Sequence, residues 1–260
     1  MTTDNTDITF PGHSASSLDE ASVHRIRKGT KQLRARLQLL RQLEGRHHET
    51  EQLRNSVKEL AHLLAAQRDA DVMADALQDM IARTEDLEVQ QLLASLREEL
   101  KPEPLAAKER KRIHKLISEI NRSSKKLDSH KHESAEIDKI LDARLAALCA
   151  MGRELLQTND WEALHDWRKQ VKKLMYQYQL KTALTPKILF VFEHLSELGS
   201  HLGHINDMSI LESFVRGQEI RTARAHDLNL FTKVHQLIEM RRQEELSDCR
   251  KVFQAIDNLQ

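Results

Sequence analysis

The chain has 260 residues with 40 Lys or Arg against 40 Asp or Glu, a formal net charge of zero, so bulk charge selects no partner. Seven Gly and four Pro leave little turn material for an all-β fold, while the wealth of Leu, Ala, Glu, Lys, Arg and Gln favours long helices. A chain of this length builds a sizeable core, as one large domain or two linked halves.

Residues 1–16 show no periodicity and little to bury, and read as a disordered tail. Ser17-Leu18-Asp19-Glu20 is a capping box, with the Ser17 hydroxyl on orphan amides and Glu20 reaching back. A first helix runs to about Leu43 with Val23, Ile26, Leu33, Leu37 and Leu40 inward. Gly45 and His47-His48 mark a turn. A second helix covers 51–66 with Leu53, Val57, Leu60 and Leu64 inside. Asp69 is placed to cap a third, and Thr84-Glu85-Asp86 a fourth that ends before Pro102 and Pro104. Long helices follow over 105–133 and 137–157. Asn159-Asp160-Trp161-Glu162 then caps a helix that continues to about Leu184, where Thr185-Pro186 breaks it. The next runs over 187–202, Asp207 caps another, and a last helix covers 229–257. No strand is predicted.

Charge is segregated along this string of helices. Between Ala21 and Leu43 there are seven Lys or Arg and no acid, whereas 69–103 carries ten Asp or Glu against three Lys or Arg. Such asymmetry makes local fields in a chain of zero net charge. The basic material is also ordered. In Leu164-His165-Asp166-Trp167-Arg168-Lys169-Gln170-Val171-Lys172-Lys173-Leu174, the residues Leu164, Trp167, Val171, Leu174 and Tyr178 share one apolar helix face. His165, Arg168, Lys169 and Lys172 form a second stripe at i, i+3, i+4, i+7. The pattern recurs upstream: His24, Arg27, Lys28, Lys31 and Leu33 match His165, Arg168, Lys169, Lys172 and Leu174 at a constant offset. A second pair recurs in the same order, since Leu64 to Met73 resembles Leu202 to Leu211, with Asp69 opposite Asp207 and Arg68 opposite Asn206. Two motifs repeated in order at nearly equal separation indicate an internal duplication.

One basic stripe alone reads as a solvated helix face. Two matched copies favour a site. Like charges at these spacings cost roughly 0.2–0.5 kcal/mol per pair in isolated helices, and a bound anion offsets that repulsion. Arg supplies bidentate oxygen contacts, Lys a point charge and His a donor tunable near neutral pH, a set suited to phosphate oxygens. Asp69 and Asp207 read as N-caps.

The sequence predicts no metal and no cofactor. Glu59-Leu60-Ala61-His62 and Glu162-Ala163-Leu164-His165 have the Glu-x-x-His spacing of di-iron bundles, but the motif is short and Arg168, Lys169 and Lys172 repel a cation beside the second. His201 and His204, one turn apart, are the remaining plausible pair and lack a partner in the sequence. No P-loop, glycine-rich cradle or activated nucleophile is recognisable, which points to binding rather than turnover, so the chain reads as no enzyme. Cys149 and Cys249 lack ligand or redox spacing and read as reduced, inert thiols. No apolar run approaches the ~18 residues that cross a bilayer and no secretory signal opens the chain, so the expected location is cytoplasmic and not at a membrane.

These motifs resemble the CHAD family, the conserved histidine α-helical domain. The likeness is strongest at Leu164 to Tyr176 and at Leu202-Gly203-His204-Ile205-Asn206-Asp207, with the first copy at Val23-His24 through Arg34 and Arg68-Asp69. The resemblance implies an all-α domain over 17–260: two four-helix bundles from an internal duplication, about 17–103 and 105–260, related by a pseudo-two-fold axis around a basic pore or groove. It implies non-enzymatic binding of inorganic polyphosphate, and with it association with polyphosphate granules. The contacts carried over are His24, Arg27, Lys28, Lys31 and Arg34 with His165, Arg168, Lys169, Lys172 and Lys173, supplemented by Arg68, Arg112, His114 and Lys115. Two positions depart from the repeat, Met175 where the first copy has Arg34 and Gln32 opposite Lys173. A nucleic-acid binder using the same surface is the alternative, weakened because aromatic residues are not interleaved with the basic stripes. Binding is expected to be salt-dependent and to strengthen as His24 and His165 protonate below about pH 6.5.

Overall fold

Apolar residues recurring at helical spacing, with charged residues between them, dictate amphipathic helices throughout. The computed structural model describes residues 20–44, 47–100, 105–127, 134–181, 185–221 and 225–259. Among these there are nine helices and no strand: α1 (Glu20–Glu44), α2 (His47–Leu63), α3 (Ala65–Arg83), α4 (Leu87–Glu99), α5 (Ala107–Leu127), α6 (Ser134–Leu155), α7 (Trp161–Tyr178), α8 (Pro186–Arg221) and α9 (Ala225–Asp257). The expected all-α class is correct. The tail over 1–16, the capping residues at 17–19, the prolines at 102 and 104 and the 128–133 end of the fifth helix lie outside the described residues.

Local signals set several of the boundaries. The Asp86 carboxylate accepts from the backbone amides of Glu88 and Val89 at 3.1 and 3.2 Å, so it caps α4 as expected. Asp160 caps α7 through the Ala163 amide at 2.9 Å, and Thr185 Oγ1 accepts from Ile188 at the start of α8.

Elsewhere the packing overrides the local pattern. His47 and His48 fall in the first turn of α2 rather than in a turn before it. Helix α3 begins at Ala65, so Asp69 lies inside it and not at its N-cap. Helix α8 runs unbroken through Gly203 to Arg221, so Asp207 is internal as well. A glycine costs a helix interior about 1 kcal/mol relative to alanine. Here Leu198, Leu202, Ile205, Met208, Leu211 and Val215 continue one buried stripe across it, and that burial outweighs the glycine. Helix α7 stops at Tyr178, short of the expected 184. Leu180 and Lys181 donate back three residues, to Gln177 and Tyr178, in a tightened last turn.

The chain gathers into two compact units that are interleaved along the sequence rather than consecutive. One contains Met1–Arg68, Pro104–Leu148 and Gln170–Leu195; the other contains Asp69–Glu103, Cys149–Lys169 and Ser196–Gln260. In the first unit α1 packs on α2 and α2 on α5, burying Val23, Ile26, Leu33, Leu60, Ile113 and Leu116 among others. The second unit is built on α3, α4, α8 and α9, with Leu77, Leu93, Leu211, Phe231 and Val234 at its centre. There Trp167, wholly buried, meets Phe253 edge to face at 5.6 Å. Both cysteines are buried and free. Burial pushes the thiols up to about 11 for Cys149 and about 12 for Cys249, which leaves little reactive thiolate.

Candidate functional site

The apolar stripe of α1 fixes the orientation of its basic stripe. With Val23, Ile26 and Leu33 buried in the first unit, His24, Lys28 and Arg34 are exposed and Arg27 and Lys31 half-buried. Arg27 Nη1 donates to the Leu64 carbonyl at 2.6 Å, at the break between α2 and α3. The guanidinium satisfies a helix-end carbonyl and keeps its charge.

Helix α7 repeats this arrangement with differences. Leu164, Trp167, Val171 and Leu174 are buried, and His165, Arg168 and Lys172 are half-buried beside them. Arg168 lies against Gly203 of α8 within the second unit; a Cβ there would meet Arg168 Nη2 at 3.5 Å. In the repeat Leu64 aligns with Leu202, so Gly203, against which Arg168 lies, is one residue past the position matching the carbonyl that Arg27 contacts. Lys169 is exposed and bridged to Asp166 at 2.7 Å. This bridge has no counterpart in α1, where position 25 is Arg.

The His165 imidazole is held below its ordinary range, first by burial and then by the charges of Lys169 and Arg168. A hydrogen bond to the Asn206 side chain and the charge of Asp166 act the other way. Its Nδ1 is buried without a hydrogen-bond partner among the described residues. The ring lines a cavity of about 910 Å³ in the second unit, together with Trp161, Asn206, His235, Glu239 and Arg242. Arg242 lies over the Trp161 ring at 5.4 Å and donates to the Met208 carbonyl. Neither residue stands out for this site in the sequence, because α7, α8 and α9 are brought together only by the fold.

The remaining expected contacts fall in different environments. Lys173 is half-buried, and burial followed by the neighbouring Arg144 charge lowers its pKa from the usual lysine range. Arg144 itself is held by the side-chain oxygens of Gln177 and Gln42, each at 2.5 Å. Met175 is buried in the core, 5% exposed, which explains why the second copy has no arginine there. Gln32 donates to Gln179 at 3.1 Å. Arg112 is engaged by Glu59 through two contacts of 2.6 Å, a bidentate pair that offsets its charge and also occupies the carboxylate of the first Glu-x-x-His segment. His114 and Lys115 are exposed on α5, with Lys115 3.9 Å from Glu119. The side chain of Arg68 lies outside the described residues.

A profile described as the CHAD domain matches residues 12–216. The chain is similar to the crystal structure of the CHAD domain from the plant Ricinus communis, with a TM-score of 0.63 at 17% identity, covering 93% of this chain and 83% of that one; that likeness is one of fold. No curated protein matches the chain significantly. With the profile spanning both basic helices and the Leu202–Asp207 segment, the chain belongs to the CHAD family.

Proposed function

We propose that this CHAD protein binds inorganic polyphosphate through its two repeated basic stripes, without chemical turnover. The observation that carries the reading is the stripe on α1. Its seven Lys or Arg have no acid among them from Ala21 to Leu43, and His24, Lys28 and Arg34 are exposed. A merely solvated helix mixes charges at i, i+4 spacing; this one concentrates a single sign at a cost in repulsion. Polyphosphate has a charge on every unit and no base edges, so charge density and spacing suffice to recognise it. The stripe on α7 extends the reading with Arg168, Lys169 and Lys172, although Asp166 offsets part of its charge. Cytoplasmic location and association with polyphosphate granules go with this function.

The test is a calorimetric titration with long-chain polyphosphate at low and at raised salt. Binding should weaken about fiftyfold or more for a fourfold rise in salt if four or so charges are neutralised. Arg168→Ala with Lys172→Ala should weaken it further at low salt. No binding at low salt, or an affinity indifferent to salt, overturns the reading. Competition with duplex or single-stranded nucleic acid of equal phosphate content shows whether the surface prefers polyphosphate.

A further inference from the structure

The sequence leaves His201 and His204 as a pair without a third ligand, and the fold of the second unit supplies one. Glu245 of α9 is brought against them with its side chain 3% exposed. Its Oε2 lies 2.6 Å from His201 Nδ1 and its Oε1 lies 3.0 Å from His204 Nδ1. The three ligand atoms lie within 4.8 Å of one another, and the two rings stand nearly perpendicular, at 86°. We propose that His201, His204 and Glu245 form a binding site for a divalent transition-metal ion of the zinc type, coordinated through both Nδ1 atoms and the carboxylate, with water completing the shell. None of these three residues belongs to the basic stripes.

The chemistry of the donor set fits. Two imidazoles and one carboxylate around an open fourth position are a zinc-type set, and two His one turn apart on a rigid helix need no loop to align them. Without metal, the imidazole protons stand where the ion would bind; with metal, those protons leave and the same Nδ1 atoms become ligands.

Arg241 is the group that opposes a cation, since its Nη2 also contacts Glu245 Oε1. It has other carboxylates to hold, Asp79 at 3.4 Å and Glu244 at 3.1 Å, and so acts as an outer partner that orients Glu245. His204 is half exposed, which gives the ion an entry path.

The experiment is zinc titration of the untagged, chelator-stripped full-length chain by calorimetry near neutral pH, in buffer without polyphosphate, followed by cobalt substitution. One equivalent of zinc with a visible tetrahedral cobalt spectrum is the expected result. His204→Ala and His201→Ala, checked for helicity by circular dichroism, should each weaken zinc binding about tenfold or more, since each removes one of three protein ligands. No stoichiometric zinc uptake, or uptake unchanged in both variants, overturns the proposal. Because His204 is accessible, its alanine variant tests the site even if Glu245→Gln fails to fold.

Discussion

At the scale of single residues, His165 and Gly152 show how packing constrains the helix that carries the second stripe. His165 sits against Arg168, Lys169, Asp166 and Asn206, and its pKa is depressed below 6.5 in the folded chain. The unfolded chain therefore takes up this proton first as pH falls. Stability is unaffected above about pH 6.5, where the ring is neutral in both states, and declines as pH drops from there toward the depressed folded value. His165→Asn should flatten that decline in a thermal-melt series run between pH 5 and 8. A bound polyanion would favour the imidazolium, so binding near pH 6 should be accompanied by proton uptake, visible as a buffer-dependent heat. The enhancement expected from the ordinary histidine pKa is thus displaced to lower pH at this position. Gly152 faces the Trp167 and Phe253 rings so closely that a Cβ would come within 2.5 and 2.6 Å of them. Gly152→Ala forces rigid rings to move and should cost about 1–3 kcal/mol, measurable as a lower midpoint in urea.

At the scale of elements, the N-terminus of α7 governs whether its stripe is presented as a helix at all. Asp160 accepts from the Ala163 amide, one turn before His165. Asp160→Ala should lower stability by about 1 kcal/mol and increase amide exchange across the first turn of α7, read by hydrogen-exchange mass spectrometry, while Asp160→Asn should leave both nearly unchanged. The capping residues of α4 and α7 were legible in the sequence because caps are local chemistry. The apolar and basic faces of α1 and α7 were legible for the same reason, since helical periodicity puts them in register. Helix α8 was not, because a glycine and an Asn-Asp pair look like an end until the buried stripe from Leu198 to Val215 is seen to run through them. Nor was the partner of His201 and His204, because Glu245 is on a different helix and only the packing of α9 on α8 brings it near.

At the scale of the whole molecule, reading the chain in order halves it near residue 104, whereas α5 packs with α1 and α2 through Ile113, Leu116 and Ile120. Apolar faces, not sequence order, decide which helices share a core. A polyanion that binds only the folded chain should stabilise it through mass action. At about a hundredfold excess over Kd the gain is about 2.7 kcal/mol, which is several degrees of thermal midpoint for a chain of this size. Because exposed Lys and Arg carry the attraction, the shift should fade as the screening length contracts to about 3 Å at 1 M salt. Adding long-chain polyphosphate at low salt should therefore raise Tm, and orthophosphate at equal phosphorus content should raise it far less, since separate ions do not share one entropic cost of binding. A Tm shift that persists at 1 M salt, or equal shifts from polyphosphate and orthophosphate, would count against multivalent recognition by a basic surface, because neither outcome follows from several charges contacting one flexible chain.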